Sequence, residues 1–503
     1  MTSRFLKICR AWPMQSTAAS NLTRRHDMTH RSIPTVSVSI ILLIALAATG
    51  AEAAGSSGSQ PTSPAVPLCK SLYKKKSVPA KTLQTMVRSH ERWAEYRGNP
   101  NARRLELCQA DLTRAALVEV NLERANLEGA VLRQANLSRV SLAQASLAGA
   151  DFSKASLEDS NLSGADLRRA RFTGANLSRA IGDEAALFDA VLIGAKLRES
   201  AFERAQLEGA DLTSADLTDA NFIEAYFYGA MLKGATLVNA DLTGVDLRRT
   251  ILTNADLSRA NLQGALLDHA QVERAKLVEA DLESAYLDET NLRNANLQEA
   301  ILRGTDMRYV DLHGTDLRNA DLEGANLEEA VLVKANANSA KLRMAILYHA
   351  VLDEVSFQGA HLNRAVLIGA RGSRANFTDG DLREIYAPKS TFQHAQFNKA
   401  DLDSANFVAA DLRGSNFSHS NMTHSNLQEA NLQDATFAGA DLSGARFDSA
   451  DLRRANFKGA ILFSVTGLTQ TQLDSACVDG HTKLPPELSR PTPCTMIREE
   501  NRP

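Results

Sequence analysis

Residues 165–177 read ADLRRARFTGANL, in which a five-residue unit starts three times. The unit is a small residue, then Asp or Asn, then a large apolar centre, then two variable residues. From Leu107 to Leu462 it runs through 72 steps with no insertion or deletion, and 68 of the centres are Leu, Phe, Val or Met. A period of five fits neither a 3.6-residue helix nor a two-residue strand, so each step must turn the chain by one fixed angle. The pattern predicts a repeat solenoid.

The spacing of phenylalanine indicates how many steps make one turn. Six of these residues recur at intervals of 20 along the last third of the repeat, and they are Phe357, Phe377, Phe397, Phe417, Phe437 and Phe457. Protein interiors are close-packed, so a large ring in a narrow core is expected to stack on another ring. Four steps therefore make one four-sided coil. The 72 steps predict about 18 coils and, at about 4.8 Å per layer, a rod roughly 86 Å long.

The unit A-(D/N)-(L/F)-x-x, as in Ala110-Asp111-Leu112 and Ala455-Asn456-Phe457, closely resembles the pentapeptide-repeat family. The resemblance covers residues 105–465. It implies an all-β protein, a right-handed four-sided parallel β-helix solenoid, and it implies much less about function. Gly at the last place of many steps, such as Gly129 and Gly149, suits turns that need positive φ.

Four centres are small and depart from the repeat, namely Gly182, Ala337, Gly372 and Ala387. Two interpretations compete. The rod could be distorted there and form a partner site, or the core could be filled from elsewhere. The second interpretation is favoured.

Short helical caps are predicted at both ends of the rod. Residues 79–104 form the first, where Leu83, Met86, Val87, His90 and Trp93 fall on one helix face. A lone His on such a face is expected to be structural. Residues 466–503 form a second cap and a tail, because Thr469 and Gln472 make a T-x-x-Q capping box.

The N-terminal sequence predicts export. An apolar run from Val38 to Ala48 is followed by Ala51-Glu52-Ala53, which indicates a signal peptide over residues 1–53, with Met28 as the better initiator. An uncleaved inner-membrane anchor is the alternative, and only that case implies a membrane partner. Residues 54–78 are predicted to be a flexible linker. The expected location is the periplasm or the extracellular space.

Four cysteines would remain after cleavage, and they flank the rod: Cys69, Cys108, Cys477 and Cys494. In an oxidising compartment we expect Cys69–Cys108 and Cys477–Cys494, although four cysteines allow three pairings.

The sequence contains no recognisable catalytic, metal or cofactor motif, which predicts a non-enzymatic protein without a small-molecule substrate. The seven histidines of the rod lack metal-ligand spacing, and no glycine loop suited to phosphate is present.

The net charge of −3 is unevenly distributed along the chain, because residues 1–104 carry +12 and residues 105–465 carry −14. Direct nucleic-acid binding is therefore not expected.

The position before each centre is usually Asp or Asn, and the steps in which it is not indicate a binding surface. Large apolar residues replace Asp or Asn there fifteen times, twelve of them on two adjacent sides and none on the side of the phenylalanine stack. We predict an interaction stripe for a protein partner. Its residues are Val191, Tyr226, Tyr228, Met231, Ile251, Leu266, Tyr286, Ile346, Val351 and Val366.

Two functions fit these observations. The leading hypothesis is an exported structural or interaction rod. The alternative is a DNA mimic that binds a topoisomerase such as DNA gyrase, because an acidic rod can imitate the phosphate spacing of DNA. Quinolone-resistance members of the family, which the repeat resembles, are understood to act in this way in the cytoplasm.

Overall fold

The computed structural model of the chain describes residues 69–96 and 101–491. The predicted signal peptide, the predicted linker up to residue 68, and Cys494 lie outside the described residues. Two helices are present in the described ranges, α1 (Ala80–Glu95) and α2 (Gln470–Asp474). The five-residue repeat lies between them.

Parallel single-residue bridges connect the coils of the repeat. Each bridge joins the residue before a centre, which we call the bridge position, to the residue 20 places later, as in Glu106↔Asn126 and Asp111↔Val131. A corner interrupts each side after a few residues, so the described residues form bridges rather than long strands. We number sides 1 to 4 by their first centres, Leu107, Leu112, Leu117 and Leu122. Sides 1 and 3 are opposite each other.

Each corner of a coil is a tight turn. The Leu107 carbonyl accepts a hydrogen bond from the Ala110 N–H at 3.1 Å, and Gln109 between them has a φ of 58°. The sequence suggested Gly for this place, but many corners carry a side chain at similar φ, such as Arg114 at 60° and His349 at 54°. An L-residue in this region costs roughly 1–2 kcal/mol. The hydrogen-bonded ladder must hold these corners in place.

The inward side chains fill a narrow core. In a typical step, Ala165 and Leu167 are fully buried. The six phenylalanines of the predicted stack lie above one another on side 3. Their neighbouring ring centroids are 4.8–5.3 Å apart and their planes are within 16° of parallel.

The small centres are filled from the next coil. Each is followed 20 residues later by Phe, giving the pairs Gly182/Phe202, Ala337/Phe357, Gly372/Phe392 and Ala387/Phe407. A Cβ built on Gly182 would clash with the edge of the Phe202 ring, and one on Gly372 would lie 2.6 Å from the Phe392 ring. The bridges Val351↔Arg371 and Arg371↔Thr391 continue without a break. The geometry matches the second interpretation, in which the rod is not distorted.

Helix α1 packs on the first coil through Leu83, Val87 and His90, which are buried. The Leu105 N–H donates to His90 Nδ1 at 3.0 Å, and the imidazole stacks on the Trp93 ring. Burial lowers the pKa of His90, which favours the neutral form that can accept this bond.

The predicted flexible linker does not extend to residue 78. The expected disulfide Cys69–Cys108 is confirmed, with a Cα–Cα distance of 5.8 Å, and Ser77 bridges to Asp111. The Asp111 N–H donates to the Lys76 carbonyl at 2.9 Å. Residues 69–78 are thus paired with the first coil. Their polar composition concealed this because the pairing uses backbone groups.

The last coil is covered by α2 and the chain that follows it. Thr469 and Gln472 form the capping box, and Gln472 Nε2 donates to the Phe447 and Ala450 carbonyls at 3.0 and 2.9 Å. Cys477 and Lys483 then bridge to the last coil. Cys477 is disulfide-bonded. The pairing Cys477–Cys494 stays a prediction.

Candidate interaction surface

The ten stripe residues all lie on sides 1 and 2, with outward side chains that are exposed or half-buried. They do not form one continuous strip. Bridges bring together Leu266 with Tyr286 and Ile346 with Val366 on side 1, and Met231 with Ile251 on side 2. Tyr226 and Tyr228 flank one centre on side 1. Val191 and Val351 lie on side 2, and Val191 is two coils away from Met231.

The largest concentration of apolar side chains includes residues that the prediction missed. We call the outward part of side 1 in one coil a rung and name it by its bridge position. Rungs 346 to 406 carry the apolar patch, which consists of Ile346, Tyr348, Val366, Ile368, Tyr386, Pro388 and Val408. The bridges Ile346↔Val366 and Val366↔Tyr386 align it. Tyr386 lies at a bridge position but is not among the ten predicted residues, and the other missed members follow the centres, a place that has to be counted as well as the bridge position.

No carboxylate occurs on the outward places of side 1 in the apolar patch. Lys389, at the corner of rung 386, is exposed. The four preceding rungs, 266 to 326, are different and form the acidic patch. Its acidic residues are Asp268, Asp288, Glu289, Asp306, Glu328 and Glu329, with Leu266 and Tyr286 between them.

Two carboxyl groups on side 1 are unusual in their environment. Glu208 Oε2 and Asp288 Oδ1 are buried and have no hydrogen-bond partner within the described ranges. Burial raises the pKa of both groups. Arg308 lies 3.9 Å from Asp288, but its short contact, at 2.8 Å, is with Asp306.

The tyrosine pair on rung 226 is close to cations. Arg248 and Arg249 each lie 5.9 Å from the centre of the Tyr228 ring, and Arg248 is also paired with Asp246 at 2.7 Å. This arrangement gives Tyr228 a cationic neighbour and leaves the residue 42% exposed.

Some of the rod's aspartates are paired with an arginine of the same step. In seven steps an Asp at the bridge position is paired with an Arg two residues later, at 2.6–2.8 Å. These pairs are Asp166–Arg168, Asp246–Arg248, Asp306–Arg308, Asp316–Arg318, Asp381–Arg383, Asp411–Arg413 and Asp451–Arg453. The hydrogen bonds to Arg318 and Arg383 lower the pKa of Asp316 and Asp381.

The described residues contain no group of three or more His, Cys, Asp or Glu placed to hold a metal ion. Two grooves of about 440 and 480 Å³ flank α1, and the first lies between Leu83 and Val87 of the helix and Leu112 and Leu117 of the first coil. Neither helix in the described part of the chain has the length and apolar character needed to cross a membrane.

Several solved structures are similar to this chain. HetL, a pentapeptide repeat protein involved in heterocyst differentiation regulation from the cyanobacterium Nostoc sp. strain PCC 7120, is 32% identical, with 45% of this chain and 90% of that chain covered and a TM-score of 0.21. Full-length QnrB1, a plasmid-mediated fluoroquinolone resistance protein, is 16% identical over 42% and 91%, with a TM-score of 0.15. A pentapeptide repeat protein from the Arabidopsis thaliana thylakoid lumen is 20% identical over 29% and 68%, with a TM-score of 0.08. No curated protein matches.

Family models match most of the rod. The model for pentapeptide repeats (8 copies) matches nine stretches, several of them overlapping, between residues 99 and 385. The model for the pentapeptide repeat region matches residues 390–465. Together with the bridges at intervals of 20 residues, these matches establish that the chain belongs to the pentapeptide-repeat family and has its right-handed four-sided β-helix fold.

Proposed function

We propose that the chain is an exported, non-enzymatic rod that binds protein partners through the outward residues of sides 1 and 2. The observation that carries this proposal is the uneven surface. Tyr226, Tyr228 and Met231 are 45%, 42% and 39% exposed, whereas the bridge positions of side 3 carry no large apolar residue. Clustered exposed apolar side chains are typical of interaction sites.

Export is supported by the cysteines and by the N-terminal sequence. The disulfide Cys69–Cys108 fits an oxidising compartment, where such bonds persist. The apolar run and Ala51-Glu52-Ala53 fit a signal that is removed. Cell fractionation with N-terminal sequencing tests this proposal. A mature chain that starts near Ala54 and is recovered outside the cytoplasm would support it, and a cytoplasmic chain that retains residue 28 would contradict it.

The proposed rod is a closed unit of about 18 coils with a cap at each end. His90 and the segment 75–78 satisfy backbone groups of the first coil, and Gln472 with residues 477 and 483 does so at the last coil. Covered ends limit end-to-end pairing through open edges. The sides of the rod are therefore the surfaces available to a partner.

A pull-down with the mature chain tests the binding surface. The triple variant Tyr226→Ser, Tyr228→Ser and Met231→Ser is expected to lose the partners that the natural chain recovers. The matched control is Val238→Ser with Val278→Ser, which removes outward apolar side chains from side 3. If the triple variant recovers every partner unchanged, the proposal is wrong.

The DNA-mimic alternative is supported by the acidic composition of the repeat. The Asp–Arg pairs within single steps weaken it, because a paired carboxylate imitates a phosphate poorly. The apolar patch also leaves four successive rungs of side 1 without carboxylates. A gyrase supercoiling assay with the mature chain distinguishes the two functions, and inhibition at micromolar concentration would favour the mimic.

A further inference from the structure

We propose that two copies of this chain associate side by side through side 1 in opposite directions, so that the apolar patch of each copy covers the acidic patch of the other. The inference rests on the proposed function, because it names one partner of the interaction surface. It follows from the order of side chains along a single side of the rod.

The direction of association follows from charge. If the two rods ran in the same direction, each acidic patch would face the other acidic patch, and like charges would be brought together. Opposite directions place a segment without carboxylates against a segment with six. This arrangement needs a two-fold axis that is parallel to the rungs and lies between rungs 326 and 346. A two-fold contact of this kind closes on itself and forms a dimer.

The register then follows from the even spacing of the coils. Rung 346 faces rung 326 of the second copy, rung 366 faces 306, rung 386 faces 286, and rung 406 faces 266. Rotation about an axis parallel to the rungs leaves the direction of each rung unchanged. The corner at the end of a rung therefore faces the corner at the end of the opposing rung in the second copy. Tyr386 therefore meets Tyr286 across the interface, and both tyrosines are exposed in the single chain, at 38% and 50%.

The corner residues along this edge of side 1 are complementary in charge. Lys389 faces Glu289, His349 faces Glu329, and Glu429 faces Arg249 on the rungs just beyond the two patches. Lys389 has no ion pair with a carboxylate in its own rod within the described ranges. It would also come near Asp288, whose Oδ1 lacks a hydrogen-bond partner. The second copy would bring a further cation towards a carboxylate whose cation in its own rod, Arg308, lies 3.9 Å away.

The same corners are complementary in size. Gly369 faces Tyr309, and Ala409 faces His269. Tyr309 is 47% exposed in the single chain, and a glycine opposite leaves room for its ring. A side chain as large as Tyr facing another large one would hold the rods apart. The alternation of large with small along one column fits close approach of two rods.

The proposal is tested by exchanging the charges of one predicted contact and measuring dimerisation of the mature, disulfide-bonded chain by sedimentation velocity. Lys389→Glu and Glu289→Lys, made separately, are each expected to weaken dimerisation at least about tenfold, because the two-fold axis repeats each like-charge contact. The variant that carries both changes restores the opposite charges and is expected to return to within about threefold of the natural chain. Lys399→Glu on side 3 is the matched control and should have no effect.

Cross-linking gives a second measurement of the register. Chains carrying Tyr286→Cys and chains carrying Tyr386→Cys are mixed under mild oxidation, and an intermolecular disulfide is expected only between the two kinds of chain. Linked pairs of a single kind would overturn the register. A natural chain that stays monomeric at about 100 µM would overturn the dimer.

The outcome is separable from the test of the proposed function. If the chain is monomeric and the variant at Tyr226, Tyr228 and Met231 still loses its pull-down partners, only the dimer is wrong. If Lys389→Glu abolishes the dimer while that triple variant recovers every partner, the dimer stands and the proposed function on those three residues does not.

Discussion

Sides 1 and 3 are opposite walls of the same coils, built from the same five-residue unit, and they differ in where their large apolar side chains point. Side 3 stacks six phenylalanine rings inward and presents a polar ladder outward, in which Asn416 Nδ2 donates to Gln396 Oε1 at 3.1 Å. Side 1 has mostly leucine inward and presents tyrosine, isoleucine and valine outward. Because inward and outward places alternate, the core and the surface of one side can change independently.

The largest effect is expected when the inward stack of side 3 is broken. Phe397→Ala removes a buried ring that contacts rings in both neighbouring coils, so the free energy of unfolding should fall by about 3–5 kcal/mol. Urea unfolding followed by circular dichroism measures it. The control Gln396→Ala changes the outward ladder beside it and should stay within about 0.5 kcal/mol. Equal losses in the two variants would contradict the independence of core and surface.

A smaller effect is expected on side 1 when a small centre is enlarged. Ala387→Leu places a large side chain at a fully buried centre that the fully buried Phe407 follows one coil later, so overpacking should cost about 1–3 kcal/mol. Adding Phe407→Leu to the same chain restores the total volume and should recover most of the loss. If the double variant is less stable than Ala387→Leu alone, the filling of small centres from the next coil is wrong.

The corners should not distinguish the two sides. Gly369 at the corner of side 1 and Gly439 at the corner of side 3 both have positive φ, and a built Cβ would lie 2.5 Å from the His349 ring and 2.6 Å from the His419 ring, respectively. Gly369→Ala and Gly439→Ala should therefore each cost about 1–2 kcal/mol, measured by urea unfolding. If the two losses of unfolding free energy differ by more than about 1 kcal/mol, the cost of a side chain at a corner depends on the side to which the corner belongs.

The smallest effects are expected from charge, and they have opposite signs on the two sides. Burial raises the pKa of Glu208 on side 1, whereas the hydrogen bond from Arg318 lowers the pKa of Asp316 on side 3. Ionised Glu208 is thus unfavourable at neutral pH, and its cost is relieved as the pH falls from its raised pKa towards the ordinary value. The favourable contribution of Asp316 is present above the ordinary value and is lost as the pH falls through the lowered pKa.

At pH 7, Glu208→Gln should therefore stabilise the chain slightly, and Asp316→Asn should destabilise it by about 0.2–1 kcal/mol, since both groups are partly exposed. Thermal unfolding at pH 7 and pH 4 measures both variants. The gain from Glu208→Gln should shrink at pH 4. A gain that is larger at pH 4 than at pH 7 would contradict the assignment for side 1.

Most of the fold could be read from the sequence because one local rule is repeated. The period of five, the interval of 20 between phenylalanines and the T-x-x-Q box at Thr469 correspond to features of the structure. The filling of the small centres could also be predicted from the sequence, since Phe lies 20 residues after each of them. This prediction requires comparing each centre with the centre of the next coil. The pairing of residues 75–78 was not readable, because backbone hydrogen bonds leave no pattern in side-chain types.

The candidate surface was only partly predictable. The bridge positions indicated sides 1 and 2 and residues such as Tyr226 and Ile346. Tyr348, Ile368, Pro388 and Val408 were missed because they follow the centre rather than precede it. The exposed fraction of each outward side chain could not be predicted from the sequence. Adjacent rungs are only about 4.8 Å apart, so their side chains cover one another. Tyr286 is exposed, whereas Val366 is half-buried.

The solenoid, the four sides and the residues that point inward could all be derived from the amino-acid sequence, because contacts between successive coils repeat at a fixed spacing. Which carboxylates pair with an arginine, and which outward residues of side 1 form one surface, became clear only from the three-dimensional structure. Those properties depend on side-chain directions and on neighbours two residues away in the same step or 18 to 20 residues away in the next coil. The spacing of the repeat restricts such neighbours, but their contacts form only when the coils are stacked.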